Sequence, residues 1–213
     1  MFFLNNVLSF PPVEKAGIDG LLAAGGDLCP QRLLLAYKNG IFPWYNEDEP
    51  ILWWCPDPRF VLFPDQLKIS KSMHTVLQNG TFKFTMNRAF KEVITNCKSV
   101  PRKNQPGSWI NNETINAYTQ LHTLGYAHSA EAWQNGTLTG GLYGIRLGNC
   151  FFGESMFSKV SNASKFAFIN YVAQLKKEGV QLIDCQLHTP HLESLGAQMI
   201  SRKKFIKLLN QYC

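Results

Sequence analysis

Two carboxylates and an amide lie inside stretches of this chain too apolar to be surface. Glu154 sits in Phe151-Phe152-Gly153-Glu154-Ser155-Met156-Phe157-Ser158, and Asp184 and Gln186 sit in Leu182-Ile183-Asp184-Cys185-Gln186. Removing a carboxylate from water is costly unless it gains a partner or a task, so these positions are candidates for acid–base or polar-contact chemistry. On a buried strand Asp184 and Gln186, two residues apart, share a face, and Cys185 between them points the other way as packing. The six cysteines, Cys29, Cys55, Cys97, Cys150, Cys185 and Cys213, show no C-x-x-C pair and no nearby His ligands. They predict reduced structural thiols, with neither a disulfide framework nor a metal site. His128, His188 and His191 lack a recognised nucleophile arrangement, and Ser155 lacks a G-x-S-x-G elbow, so all four are assigned structural or solvent-exposed roles.

The elements that must position these residues follow from periodicity and turn chemistry. Residues 11–58 are rich in Pro, Gly and Trp; Pro30 opens a short apolar helix through Leu33, Leu34, Leu35 and Tyr37 that Gly40 closes. We therefore expect a small N-terminal α+β domain over 1–58 and a main domain over 59–213. In the latter, a strand is expected at 59–63, a helix capped by Ser70 that ends at Asn79-Gly80, a half-buried strand over 81–86, and helices over 88–97 and 113–124. From residue 126 the period changes to that of strands. Segments 126–133, 137–147 and 150–157 are joined by Asn135-Gly136 and Gly148-Asn149, both hairpin dipeptides, giving a three-strand antiparallel meander. A helix capped by Ser161 or Asn162 then runs through Phe166, Ile169, Val172 and Leu175 to Gly179, leading into a buried strand over 180–185.

Meander, crossover helix and final strands give an α+β fold whose mixed, mainly antiparallel sheet carries flanking helices, in the order of the acyl-CoA N-acetyltransferases. Those enzymes cradle a pyrophosphate on a Gly-rich loop before the crossover helix. Here that place reads Met156-Phe157-Ser158-Lys159-Val160-Ser161-Asn162-Ala163, without glycine, so coenzyme A is not expected and no cofactor is assigned.

The net charge of +6 is unevenly spread: residues 1–65 hold four Lys/Arg against eight Asp/Glu, and the remainder holds seventeen against seven. Lys68, Lys71, Lys83, Arg88, Lys91, Lys98, Arg102 and Lys103 face only Glu92 within residues 66–103, and Arg202, Lys203, Lys204 and Lys207 form a second cluster. Such a stripe binds phosphate backbones or is simply a solvated face. No stretch approaches the ~20 apolar residues of a membrane span, and the N-terminus lacks the basic region of a signal peptide. A soluble cytoplasmic protein is expected.

The ordered blocks Gly25-Gly26-Asp27-Leu28, Gly40-Ile41-Phe42-Pro43-Trp44, Trp53-Trp54-Cys55-Pro56-Asp57-Pro58-Arg59, Ser108-Trp109-Ile110, Gly140-Gly141-Leu142-Tyr143-Gly144, Gly153-Glu154-Ser155-Met156-Phe157-Ser158, Asn162-Ala163-Ser164-Lys165 and Asp184-Cys185-Gln186 span nearly the whole chain. In them the sequence resembles the leucyl/phenylalanyl-tRNA–protein transferases. The resemblance implies transfer of Leu or Phe, and also Met, from aminoacyl-tRNA to the N-terminal α-amine of proteins beginning with Arg or Lys, the tagging step of N-end-rule degradation. It implies catalytic roles for Asp184, Gln186 and Glu154, with Asp184 orienting the Gln186 amide toward the amine and Glu154 meeting a cationic acceptor. It further implies an aminoacyl pocket at Leu142, Gly153, Met156 and Ile183, and adenosine stacking by Trp44 and Trp109 with Tyr37 and Tyr118 nearby. Trp109, after a Gly107-Ser108 turn, is expected to be exposed, and Trp53 and Trp54 to pack between domains. Lys68, Lys71, Lys83, Arg88 and Lys91 are assigned to the tRNA backbone. The donor is already an activated ester, so the reaction needs no ATP or metal. A monomer is expected. The alternatives are a cell-wall-type aminoacyl-tRNA peptidyltransferase and a nonenzymatic tRNA-binding module.

Overall fold

A computed structural model of the chain describes residues 1–100 and 109–213. The Gly107-Ser108 turn, with Arg102 and Lys103 of the basic stripe, lies outside the described residues. The chain begins with β1 (Phe2–Leu4), β2 (Leu21–Gly25), α1 (Pro30–Lys38), β3 (Phe42–Pro43) and β4 (Leu52–Trp54). These strands form one sheet in the order β1-β2-β4-β3. Pro30 occupies the first turn of α1, where its missing N–H costs nothing, and Gly40 follows the helix at φ +73°.

Next come β5 (Arg59–Leu62), α2 (Lys71–Gln78), β6 (Lys83–Met86), α3 (Phe90–Ser99), α4 (Asn112–Thr123), β7 (Ala127–Gln134), β8 (Thr137–Leu147) and β9 (Cys150–Ser158). The chain closes with α5 (Ala163–Lys177), β10 (Leu182–Gln186), α6 (Pro190–Ser194), β11 (Gln198–Ile200) and α7 (Arg202–Tyr212). The second sheet runs β11-β5-β10-β9-β8-β7-β6, antiparallel except for the β9–β10 pair joined through α5. The mixed, mainly antiparallel α+β fold, with its meander, crossover helix and final strands, is the one the periodicity predicts.

Both hairpins form on the expected dipeptides. Asn135 and Gly136 each have positive φ, as a type I′ turn requires, whereas in Gly148-Asn149 only the glycine does, the type II′ pattern. Two expected details differ. Asn87 at φ +57° precedes α3, so the helix starts at Phe90 rather than at 88. Asn162 is left-handed at φ +69° and makes no side-chain cap; the amide of Ser164 instead donates to Ser158 Oγ at 3.2 Å. A capping side chain acts from an extended backbone, which Asn162 does not have.

Adjacent glycines on β8 show what lies on each face. A Cβ on Gly140 would stand 2.6 Å from Ala163 Cβ of α5, and one on Gly141 would stand 3.3 Å from Val93 Cγ2 of α3. Successive strand residues point to opposite faces, so α5 covers one face and α3 the other. Phe42 and Trp53 of the first sheet and Tyr37 of α1 share a core with α3, α4 and Phe152. Leu142, Phe151, Ala167, Tyr171 and Ile183 pack on the α5 side. No helix among the described residues is long and apolar enough to cross a membrane.

Candidate active site

A cavity of about 660 Å³ opens where β9 and β10 meet the first sheet. Leu142, Gly153, Met156 and Ile183 line it together, as do Trp44 and Trp109, and Glu154, Asp184 and Gln186 lie in its wall. Trp44 is held from behind by Trp54, whose Nε1 donates to the Trp44 carbonyl at 2.6 Å. Trp53 is buried, its Nε1 donating to the Gly25 carbonyl at 2.9 Å.

Several expected placements are corrected. Trp109 is 7% exposed, because its ring joins the buried cluster that contains Ile110 and Phe157, and it borders the cavity from within. Tyr37 and Tyr118 are fully buried and do not line the cavity, so neither ring offers a face for an adenine. Cys185 borders the cavity while packing against the buried cluster on the α5 side, which holds Ile183. His188 and His191 also border it, although nothing in their sequence pattern suggested this. Lys68, Lys71, Lys83, Arg88 and Lys91 are all exposed, but they do not form one stripe. Lys71 starts α2, which packs with α5, whereas Lys91 lies on α3 across the sheet.

Glu154 is the floor of the site. Its Oε1 accepts from Tyr37 Oη at 2.8 Å and from Gln186 Nε2 at 2.7 Å, and its Oε2 accepts from Tyr118 Oη at 3.0 Å. The two phenols also hydrogen bond to each other. All three partners of the carboxylate are neutral side chains, and Glu154 forms no ion pair among the described residues. The triangle of Glu154, Tyr37 and Tyr118 has three oxygen–oxygen contacts, but two phenols supply only two protons. With Glu154 ionised, one of the three contacts therefore has no proton of its own. Burial pushes the Glu154 carboxyl up to about 7, against the opposing effect of the Tyr37, Tyr118 and Gln186 hydrogen bonds. Burial and the Glu154 charge push both phenols well above the usual tyrosine range, so they remain donors.

This elevation has a consequence for stability. Between its ordinary value and about 7 the native Glu154 holds a proton that the unfolded chain has released, so its contribution falls as pH rises through that window and levels off above about pH 7. Relative to Glu154→Gln, the wild type is expected to lose on the order of 3 kcal/mol between pH 4.5 and 7.5. Urea titrations of both proteins at several pH values check this; parallel curves would show that Glu154 does not titrate there.

Asp184, 1% exposed, is held by a residue that the sequence reading missed. Arg59 Nε and Nη2 donate to its two oxygens at 2.8 and 2.6 Å, forming a bidentate pair. The guanidinium lies between the rings of Phe42 and Phe205, 4.6 Å from each. Burial alone would push Arg59 down, but Asp184 draws it above its ordinary value. The available clue was a cation in the apolar run Arg59-Phe60-Val61-Leu62-Phe63, the same pattern that marks Asp184.

Asp184 Oδ1 also accepts from the Gln186 backbone N–H at 2.9 Å. The β5–β10 register shifts between Asp184 and Gln186, and Gln186 adopts φ +62°. The same-face argument therefore does not hold across this bulge. Asp184 reaches Gln186 through the main chain, and the bulge turns the Gln186 amide onto Glu154. Since a carboxylate only accepts, Nε2 faces Glu154 and the carbonyl Oε1 is left to receive a donor from the cavity. Burial pushes the Cys185 thiol up, so it is not a thiolate nucleophile. Among the described residues no group of three or more His, Cys, Asp or Glu could hold a metal.

Comparison with known proteins adds a family. The leucyl/phenylalanyl-tRNA protein transferase family matches residues 61–210, and its N-terminal domain matches residues 26–57. A leucyl/phenylalanyl-tRNA–protein transferase of Flavobacterium johnsoniae is 59% identical over 98% of this chain and 99% of its own length. One from Flavobacterium psychrophilum is 56% identical over 99% and 100%. One from Syntrophobacter fumaroxidans is 54% identical over 98% and 89%. Among solved structures, a GCN5-related N-acetyltransferase from Kribbella flavida is similar at 8% identity and a TM-score of 0.40, covering 79% of this chain and 60% of that one.

Proposed function

The chain belongs to the leucyl/phenylalanyl-tRNA protein transferase family and is an aminoacyl-tRNA-dependent transferase, and from that premise we propose that it moves Leu or Phe, and also Met, onto the N-terminal α-amine of proteins beginning with Arg or Lys. On this reading it acts as a cytoplasmic monomer in the tagging step of N-end-rule degradation, with residues 1–58 as a small domain that closes one wall of the site. The observation that carries the reading is the Gln186 amide, fixed by Glu154 and by the Asp184–Arg59 pair at the floor of an apolar cavity flanked by Trp44 and Trp109.

The apolar lining takes the donor side chain. Leu142 and Ile183 form rigid walls, and the flexible thioether of Met156 adapts to branched and aromatic shapes. The terminal adenosine lies against Trp44 and Trp109. Gln186 Oε1 receives the attacking amine and orients its lone pair toward the ester carbonyl. The N–C bond forms as the C–O ester bond breaks, and the proton passes from the amine, by way of the neighbouring ribose hydroxyl, to the departing ribose oxygen. Protonated Glu154 would donate to the Gln186 carbonyl and turn the amide over, removing the acceptor for the amine. The ionised form is therefore the active one.

The test supplies Leu-tRNA, radiolabelled in the amino acid, with two acceptors that differ only in an N-terminal Arg or Ala. Label is expected in the Arg acceptor alone. Tight tRNA binding with no transfer to either acceptor would overturn the transferase reading.

A further inference from the structure

A second cavity, of about 540 Å³, lies away from the first, at the free end of the β7–β8 hairpin. Lys83, Arg88, Thr85 and Trp133 line it, with the backbone of Gly80 and Gly136 at its rim. Both cations are exposed, and neither forms an ion pair among the described residues. Trp133 is half-buried and fixed, its Nε1 donating to Thr85 Oγ1 at 2.7 Å. Glu131, the acid beneath, is fully buried, its oxygens taken by the hydroxyls of Thr85 and Ser129, so it adds no exposed negative group to the cavity. An ordered indole beside two unpaired cations suits a base with its phosphate.

Helix α3 connects the two cavities. Arg88, just before it, lines the second, and Val100, just after it, lines the first. At about 1.5 Å rise per residue they stand roughly 18 Å apart. That distance is about five phosphate steps of a stacked strand, at about 3.4 Å each. Lys91, Thr95 and Lys98, at i, i+4 and i+7, line one side of the helix between the cavities, with Glu92 a step round from them. Lys91 and Thr95 are exposed and Lys98 is half-buried, its Nζ donating to Asn112 Oδ1 at 3.1 Å.

We propose that the RNA strand whose 3′ end enters the first cavity continues along α3 to the second, where one base lies on Trp133 and its phosphate is held by Lys83 and Arg88. This rests on the proposed use of aminoacyl-tRNA. It assigns the α3 side of the sheet, not the α2 side with Lys68 and Lys71, to the acceptor strand.

The experiment compares aminoacyl-tRNA with aminoacyl-adenosine, a donor that carries no phosphate. In Lys83→Ser/Arg88→Ser, the salt dependence of tRNA binding (log K against log salt) is expected to become shallower by roughly 0.7, the value for one lost single-strand phosphate contact. The KM for aminoacyl-tRNA should rise about tenfold, while transfer from aminoacyl-adenosine changes less than twofold. Trp133→Leu should weaken tRNA about tenfold without altering the slope. A control, Lys203→Ser/Lys204→Ser on α7, should leave the slope as it is. Equal slope loss in the control would reduce the effect to net charge and overturn the proposal. So would an unchanged slope in the Lys83/Arg88 variant, or an equal loss of activity with both donors. Wild type that uses neither donor would overturn the transferase reading itself.

Discussion

Gln186→Ala is expected to lower kcat about 100-fold or more with donor and acceptor both saturating, while changing donor KM little. Removing one preorganised polar group that acts on the reacting atoms typically costs 10²–10³ in rate, roughly 3–4 kcal/mol of barrier. Gln186 is such a group on the proposed reading: its Nε2 is tied to Glu154 at 2.7 Å, and its backbone, at φ +62°, is tied to Asp184 at 2.9 Å. Its side chain is only partly buried, so truncation should spare the fold and leave the melting temperature within a few degrees. Glu154→Gln gives the companion result. In the wild type, kcat should rise as pH increases through about 7, where Glu154 ionises and frees Gln186 Oε1. The variant should lack that limb and be slow at every pH. A kcat within threefold of wild type for Gln186→Ala, or an unaltered pH limb in Glu154→Gln, would remove these side chains from the reaction.

The second large effect concerns stability. Arg59→Met leaves Asp184 as an uncompensated charge in a 1%-exposed position and is expected to cost about 3–5 kcal/mol. It also removes the cation held between Phe42 of the first sheet and Phe205 of α7, loosening both against β5. The informative comparison is Arg59→Met/Asp184→Leu. Replacing a buried ion pair with apolar residues is often neutral or better, so the double variant should recover much of the lost stability in urea unfolding. It should not recover turnover, because the Gln186 N–H still lacks the carboxylate that holds the bulge. Recovery of both would show that Asp184 serves only to neutralise Arg59. Recovery of neither would show that the site cannot repack.

The sequence by itself determined a large part of this protein. The meander, the crossover helix and both hairpin turns are set by period-two and period-3.6 patterns and by Asn135-Gly136 and Gly148-Asn149, which act over a few residues. Glu154 and Asp184 declared themselves as acids in apolar runs, and Leu142, Gly153, Met156 and Ile183 could be assigned to a common wall from the motifs that carry them. The tertiary structure decided what these residues do to one another. Arg59 and Asp184 are 125 positions apart, and Tyr37 and Glu154 are 117 apart, so no local pattern specifies either contact. The β10 bulge, and not simple strand alternation, brings the Gln186 amide onto Glu154. The burial of Tyr37 and Tyr118 turns two expected stacking platforms into hydrogen-bond donors, and Trp109 borders the cavity from a buried position. The run of lysines is divided by a sheet that separates α2 from α3. Propensity and periodicity depend on neighbours along the chain, whereas desolvation, proton sharing and charge pairing depend on neighbours in space, which exist only once the two sheets and their helices have packed.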